Sequence, residues 1–390
     1  MNERRLELRR LAGLFLRLGT VAFGGPAAHV AMMEDEVVRR RRWLSREEFL
    51  DLLGATNLIP GPNSTEMAIH IGLRRAGWQG LLVAGCCFIL PATLIVCALA
   101  WAYVRYGSLP QAEALLYGIK PVVLAVVFQA VWRLGRSALR TRLMVFSGAA
   151  CAALAFLGLH ELIVLFGAGL ALAAVTLASG KSRGRAAFPF GLWPGAAAAT
   201  AAAGAPAAAA PFGLWPMFLF FAKIGSVLFG SGYVLLAFLR ADLVDRWHWL
   251  TESQLLDAIA VGQVTPGPVF TTATFIGYVL SGVPGAALAT AGIFLPAFVF
   301  VAASSPLMPR LRRSVVAAAF LDGVNAASLA LMAVVLLRMI PAAIVDLPAA
   351  VFGAAAAYLL LRRNVSSTWL IPGAAISGVL VHRLGLQGWP

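Results

Sequence analysis

The segment Ile59–Glu66 reads IPGPNSTE, and the segment Thr265–Thr272, which lies 206 positions later, reads TPGPVFTT. The same shift aligns Phe23-Gly24 with Phe229-Gly230 and Trp43-Leu44 with Trp249-Leu250, and after a one-residue gap it aligns Pro91 with Pro296. Shared hydrophobicity alone rarely reproduces Gly, Pro and Trp in one order, so the pattern indicates an internal duplication. We predict a first repeat over 1–186 and a second over 213–390, joined by an Ala-rich linker at 187–212.

The composition identifies the class of protein. Hydrophobic residues make up 60% of the 390 residues, charged residues make up 12%, and the mean hydropathy is +0.84. Soluble domains are about 45–50% apolar and about 25% charged. Apolar segments long enough to cross a hydrocarbon core of ~30 Å as helices lie near 79–104, 112–132, 143–159, 162–180, 285–305, 315–337, 342–361 and 368–386. We therefore predict an all-α polytopic membrane protein, since a transmembrane barrel would need short alternating segments.

The basic residues indicate how the spans are oriented. The formal net charge is +14, and most Lys and Arg residues lie in short clusters between apolar segments, as in loops retained in the cytoplasm. Such loops follow the second and fourth predicted spans of the first repeat, but the first and third of the second repeat. Equivalent segments then face opposite sides and the linker crosses the membrane, which predicts an inverted repeat, the architecture of many secondary transporters. A parallel repeat is the alternative.

The cluster Arg39–Arg42 decides the arrangement of the segments before the first clear span. If 11–33 crossed the membrane once from a cytoplasmic start, this cluster would lie outside, against the preference of Arg for cytoplasmic loops. If 11–33 and 49–73 instead enter the membrane and return, the basic clusters stay inside. The hinges would be Phe23-Gly24-Gly25-Pro26 and Pro60-Gly61-Pro62. We therefore predict nine spans plus four re-entrant hairpins, with thirteen plain spans as the alternative.

The Gly-Pro segments predict helix breaks that form a binding site. Irregular backbone at membrane depth is tolerated where it is buried in protein or lines a cavity. A break exposes backbone N–H groups at the start of the next helix, and these groups and the helix dipole favour an anion. The candidate substrate-binding residues at and beside the breaks are Gly24, Gly25, Gly61, Asn63, Ser64 and Thr65 in the first repeat and Ser226, Gly230, Ser231, Gly232, Gln263, Thr265, Gly267, Thr271 and Thr272 in the second. The alternative is that the breaks serve helix packing and the polar residues serve as caps.

Ionisable residues in apolar segments are costly and indicate function. Lys120 and Lys223 are the predicted cations that complement an anion. Glu66, His29 and His70 occur only in the first repeat, and an unpaired acid or histidine can carry a coupling proton. A salt bridge from Glu66 to a basic residue is the alternative. The four cysteines lie in apolar segments without ligand spacing, so we predict no disulfide, metal or other cofactor.

These motifs resemble those of the chromate transporter family of bacterial inner-membrane proteins, in its long two-half type. The resemblance rests on IPGPNSTE in the first repeat and on KIGSVLFGSGY and GQVTPGPVFTTATFIG, which begin at Lys223 and Gly262, in the second. It covers nearly the whole chain, and it implies export of chromate, with sulfate as a related oxyanion, and resistance to chromate. The sequence has no G-x-x-x-x-G-K-[ST] motif for ATP, so the expected mechanism is secondary transport by alternating access.

Two other functions stay open from the sequence. One is transport of a different anion, such as sulfate, molybdate or a small organic acid, on the same scaffold. The other is a membrane-embedded lipid-modifying enzyme, although the five histidines are scattered rather than gathered into a catalytic set. The expected partners are the oxyanion and the lipid bilayer, not nucleic acid, and a homodimer is compatible with the sequence although no residue specifically indicates one.

Overall fold

The computed structural model describes residues 2–107, 109–139, 141–179, 212–229, 234–304, 314–363, 365–385 and 388. This part of the chain is helical and contains no strand, which confirms the predicted all-α class. The predicted linker at 187–212 lies outside the described residues except for Phe212, and so do Gly230, Ser231 and Gly232.

The helices follow one order in both halves. The first half contains α1 (Asn2–Val21), α2 (Gly25–Glu34) continued by a π-helix (Asp35–Arg40), α3 (Arg46–Thr56), α4 (Asn63–Tyr106), α5 (Pro110–Ala138), α6 (Arg142–Phe156) and α7 (Glu161–Ala178). The second half contains α8 (Leu214–Val227), α9 (Leu235–Leu239) continued by a π-helix (Arg240–Arg246), α10 (Glu252–Val264), a 3-10 turn (Val269–Thr271), α11 (Thr272–Ser304), α12 (Val315–Ala343), α13 (Leu347–Arg362) and α14 (Ser367–Arg383). The two-half arrangement predicted from the repeat is therefore present.

Each apolar segment predicted as a span coincides with a helix. Five helical stretches in the described part of the chain are long and apolar enough to cross a membrane: Asn63–Tyr106, Pro110–Arg136, Glu161–Ala178, Val269–Ser304 and Val315–Ala343. Shorter apolar helices are Arg142–Phe156, Leu214–Val227 and Leu347–Arg362. The number of spans, nine with four hairpins or thirteen, stays a prediction.

The long helices α4 and α11 each fold back sharply at a glycine. Gly77 and its repeat mate Gly282 both have φ 61°, a conformation that glycine adopts without a steric penalty. A Cβ on Gly72 would lie 2.2 Å from the carbonyl oxygen of Gly80, whereas residues eight apart in a straight helix are about 12 Å apart. A Cβ on Gly277 would likewise lie 2.3 Å from the carbonyl oxygen of Gly285. Both helices thus consist of a short first arm and a long second arm packed against it.

The α3 and α10 helices precede these first arms and complete two helical hairpins. Both begin with a capping box, in which Ser45 pairs with Glu48 and Thr251 pairs with Gln254, so each start is determined locally. The predicted Pro-Gly-Pro loops then join α3 to α4 and α10 to α11. The predicted break before α2 is also present, with Gly24 at φ 102° as its N-cap.

The two halves exchange hydrogen bonds through their breaks. The backbone N–H of Gly61 donates to the carbonyl oxygen of Leu228 at 2.7 Å, and the N–H of Gly267 donates to that of Ala22 at 2.9 Å. Gly61 and Gly267 are repeat mates, and so are Ala22 and Leu228. Such reciprocal contacts are those of a two-fold relation, so a pseudo-two-fold axis relates the halves.

The second arms of α4 and α11 run in opposite directions. Near the start of one arm, Gly85 lies against the ring of Phe298, which is near the end of the other arm. Near the end of α4, the ring of Tyr103 lies 5.1 Å from that of Phe275, centroid to centroid. Phe275 is on the first arm of α11, which folds back beside the start of the second arm. Equivalent helices that cross a membrane in opposite directions form an inverted repeat, as the basic loops predict.

The glycine contact inside each hairpin yields a stability prediction. We expect Gly277→Ala to lower the free energy of unfolding by about 1–3 kcal/mol or more, because the added methyl group meets the backbone of Gly285. The matched control is Gly167→Ala in α7, where a Cβ would meet nothing within 4 Å. The measurement is the melting temperature of the purified protein in detergent. Equal melting temperatures for the two variants would contradict the close helix contact.

Candidate functional site

A cavity of about 970 Å³ lies where the helix breaks of both halves meet. Its lining includes the starts of four helical segments: Gly25, Pro26 and Ala27 of α2, Asn63 of α4, Val234 before α9, and Val269 of the 3-10 turn before α11. The N-terminal end of a helix carries a partial positive charge and unpaired N–H groups. The converging helix starts expected from the Gly-Pro breaks therefore share one cavity.

Carboxamide side chains add neutral hydrogen-bond donors to this cavity. Asn57 at the end of α3 and its repeat mate Gln263 in α10 both line it, one from each half. The Nδ2 of Asn63 donates to the Oδ1 of Asn57 at 2.8 Å, and the Nε2 of Gln129 donates to the carbonyl oxygen of Leu360 at 2.8 Å. An amide carries two donor hydrogens, so a side chain that uses one of them can offer the other to an oxyanion.

Helices α5 and α12 supply polar side chains that the sequence analysis did not place in the site. Gln129 and Arg133 line the cavity from α5, and Asp322, Asn325 and Ser328 line it from α12. Arg133 is the one basic side chain among the described residues of the lining. The signal was present in the sequence, because residues three or four apart share one helix face and polar residues in an apolar span are uncommon.

The cavity opens at the end of the molecule where two helix turns lie. Thr141 and Met144 line it at the turn from α5 to α6, and Val365, Ser366 and Ser367 line it at the turn from α13 to α14. At the inner end it reaches Gly24 and Gly267, where the halves exchange hydrogen bonds. The breaks are therefore accessible from one end of the molecule.

Six of the predicted binding residues line the cavity: Gly24, Gly25, Asn63, Gln263, Thr265 and Gly267. Gly61, Ser64, Thr65, Ser226, Thr271 and Thr272 are not among its lining residues. Three hydroxyls of this second group donate to nearby carbonyl oxygens, Ser226 to Ala222, Thr271 to Pro268 and Thr272 to Val269. Ser and Thr in helices commonly bond back to the preceding turn, which turns their donor away from a ligand.

Lys223 lies outside the cavity, in an ion pair that occurs in both halves. Its Nζ lies 3.0 Å from an Asp242 oxygen, and Arg246 bonds the other oxygen of that carboxylate. In the first half the repeat mates Arg17 and Glu36 form the equivalent pair at 3.3 Å. The repeated pair ties the first helix of each half to the π-helix, which gives Lys223 a structural role.

Lys120 also lies outside the large cavity. Its Nζ donates to the Ser253 hydroxyl at 2.6 Å and lies 3.5 Å from an Asp257 oxygen. Asp257 accepts a hydrogen bond from the Tyr103 hydroxyl at 3.0 Å. This cluster joins α10 to α4 and α5 at the opposite end of α5 from the cavity mouth.

The three candidate proton carriers lie close to the first half's break. Glu66 is fully buried, and neither of its oxygens has a hydrogen-bond partner among the described residues. The Nε2 of buried His70 is likewise unpartnered there. His29 uses both ring nitrogens, with Nε2 3.0 Å from the carbonyl oxygen of Ala22 and Nδ1 3.3 Å from the Ser64 hydroxyl. His29 therefore braces the break, while Glu66 and His70 keep unused polar atoms.

Comparison with known proteins places the chain among chromate transporters. The sequence model of the family described as chromate transporter matches twice, at residues 9–173 and 215–379. The chain is 33% identical to the chromate transport protein of Cupriavidus metallidurans, covering 97% of this chain and 94% of that protein. It is 33% identical to the chromate transport protein of Pseudomonas aeruginosa (97% and 91%) and 31% identical to the probable chromate transport protein of Synechococcus elongatus (96% and 95%). No solved structure gives a significant match.

The open cavity yields an accessibility prediction. In a background without the four native cysteines, we expect Asn325→Cys to react with a small water-soluble thiol reagent much faster than Ala326→Cys. Asn325 lines the cavity, whereas the next residue, Ala326, is fully buried. The measurement is the alkylation rate in native membranes. A rate for Asn325→Cys as slow as that of Ala326→Cys would show that water does not reach this face of α12.

Proposed function

The chain belongs to the chromate transporter family, and we propose that it exports a chromate-type tetrahedral oxyanion across the bacterial inner membrane by alternating access. The observation that carries the proposal is the single cavity in which four helix starts and the carboxamides of both halves meet. Chromate resistance would follow from this export. Sulfate has the same shape and charge, so competition between the two anions measures how far the site separates them.

Neutral donors suit a transported dianion. Backbone N–H groups, helix dipoles and amides attract an oxyanion without the binding strength of several fixed cations, so that the ion can be released. Arg133 adds one positive charge, although Asp322 also lines the cavity and lowers the net attraction. Because Lys120 and Lys223 are held by carboxylates outside the cavity, the proposal assigns substrate contact to the cavity's own residues.

The membrane potential supplies a driving force for export. A potential that is negative inside favours expulsion of anions by roughly 2.3 kcal/mol per charge per 100 mV. A dianion therefore gains about 4.6 kcal/mol per 100 mV if no other ion moves with it. This source of energy agrees with the absence of a P-loop motif from the sequence.

The charges around the cavity mouth support loading from the cytoplasm. Arg136 and Arg142 flank the turn between α5 and α6, and Arg362 and Arg363 flank the turn between α13 and α14. Basic residues in short loops favour the cytoplasmic side. Under the proposed export, the cavity in this state would take up its substrate from that side.

Glu66 is the residue best placed to couple transport to a proton. A carboxyl group that is fully buried without a hydrogen-bond donor is stable only when it is neutral. Two other titratable groups lie near it: His70, one turn later on α4, and His29, whose Nδ1 lies 3.3 Å from the hydroxyl of Ser64, two residues before Glu66. We propose that Glu66 is protonated in this state and releases its proton in another state of the cycle.

Removing one amide from the cavity gives a direct test of substrate contact. We expect Gln263→Met to raise the KM for chromate roughly twofold to tenfold, because one neutral hydrogen bond contributes about 0.5–1.5 kcal/mol. The measurement is chromate uptake into inside-out vesicles at an imposed potential, since uptake there corresponds to export from the cell.

The matched control is Gln111→Met, which replaces an exposed glutamine near the start of α5. We expect this variant to keep the KM of the parent protein. An unchanged KM in Gln263→Met would exclude Gln263 as a substrate contact. If vesicles that contain the parent protein took up no more chromate than vesicles without it, chromate transport itself would be refuted.

The role of Glu66 yields a separate pH prediction. We expect Glu66→Gln to keep the fold, because an amide replaces the neutral acid at equal volume. Its chromate uptake at a fixed potential should lose the pH dependence that the parent protein shows. Glu47→Gln, at an exposed position in the first turn of α3, is the control that should keep it. The same pH profile in Glu66→Gln and parent protein would argue against proton coupling at Glu66.

A further inference from the structure

Two helices that the repeat makes equivalent have opposite environments. Leu50 of α3 is 49% exposed, whereas its repeat mate Leu256 of α10 is 1% exposed. Asp51 is also exposed, whereas its mate Asp257 is buried. The two helices each begin with a capping box and precede a Pro-Gly-Pro loop, so the repeat alone predicts equal surroundings. Their packing against the rest of the molecule differs.

The buried helix α10 is fastened to α5 and α4 by polar contacts. Lys120 of α5 bonds Ser253 at 2.6 Å and lies 3.5 Å from Asp257, and Tyr103 of α4 bonds Asp257 at 3.0 Å. Repeat symmetry makes α12 the equivalent of α5, so the matching contact would join α3 to α12. In the described part of the chain, α3 has no packing on α12 comparable to that of α10 on α5.

The face of α12 that would receive α3 is open to the large cavity. Asn325, the repeat mate of Lys120, and Asp322, the mate of Tyr117, both line that cavity. Lys120 and Tyr117 themselves line a smaller cavity of about 390 Å³ beside α10. The two cavities are thus equivalent under the repeat, and they lie at opposite ends of α5. One is wide because α3 stands away, and the other is narrow because α10 is packed in place.

We propose that α3 and α10 are paired gates, and that the cluster of Lys120, Asp257 and Tyr103 is the lock of the closed gate. In the alternative state α3 packs on α12 with Asp51 beside Asn325, while α10 leaves α5 and opens the other end. The proposal deepens the proposed transport function, which requires two such states.

The two locks differ in strength, which explains the state that is observed. On the α10 side, the carboxylate of Asp257 meets the positive charge of Lys120. On the α3 side, the carboxylate of Asp51 would meet the neutral amide of Asn325, beside the carboxylate of Asp322. Hydrogen bonds between charged partners are stronger than those to a neutral group. The closed α10 gate and the wide cavity on the α3 side are therefore the favoured arrangement at rest.

The test follows one cysteine on the distant gate. In a background without native cysteines, Leu50→Cys reports through its alkylation rate whether α3 is open. We expect Asp257→Asn, which weakens the lock, to slow alkylation of Leu50→Cys roughly fivefold to tenfold, because the population shifts towards packed α3. Tyr103→Phe, a milder change, should slow it less. Glu252→Gln is the matched control, since Glu252 is on α10 but bonds Arg240 of the same half.

The paired gates would be overturned if neither Asp257→Asn nor Tyr103→Phe, each added to the folded Leu50→Cys protein, changed its alkylation rate. A slower rate in both variants with no effect of Glu252→Gln would support them. Chromate uptake is measured in the same vesicles and tests transport separately. If the parent protein takes up chromate but the lock variants leave the alkylation rate of Leu50→Cys unchanged, the gates alone are refuted. If the lock variants slow that alkylation but the parent protein takes up no chromate, the proposed substrate alone is refuted.

Discussion

The hydrogen bonds from Gly61 to Leu228 and from Gly267 to Ala22 hold the centre of the molecule together. Lipid offers no acceptor to a backbone N–H at membrane depth, so a Pro-Gly-Pro loop is stable there where protein or a water-filled cavity supplies one. Each half supplies the carbonyl group that the other half's loop needs. Because the loops, the helix starts and the breaks all meet at this point, the cavity forms between the halves rather than within either of them.

Ion pairs that stabilise the fold lie outside the cavity, whereas helix starts and carboxamides that suit a ligand line it. Several basic residues of the helices are paired with buried carboxylates, as in Lys223 with Asp242 and Arg17 with Glu36. The cavity is lined instead by helix starts, carboxamides and a single basic side chain from the described residues. The strong ion pairs thus build the frame and the lock on α10, and the weaker donors remain for an ion that must be released.

Much of the fold could be predicted because its signals are local. The break before α2 and the Pro-Gly-Pro loops each act through neighbouring residues, and the repetition of these motifs reveals the two halves. The glycine turns at Gly77 and Gly282 and the capping boxes appeared only in the structure. The site was predicted less completely. Thr271 and Thr272 carry the right chemistry but bond carbonyl groups of their own turn, whereas Gln129 and Asn325 reach the cavity from helices far away in the sequence.

The sequence by itself determined the all-α class, the duplication, the positions of the breaks and, through its motifs, the family, because these depend on residue type and spacing along the chain. Only the tertiary structure decided which donors share a cavity, which lysines are neutralised, and that α3 stands open while its equivalent α10 is closed. Those outcomes depend on contacts between residues a hundred or more positions apart, such as Lys120 with Asp257. Two segments that are equivalent under the repeat can therefore have opposite surroundings, since packing against the other half differs between them.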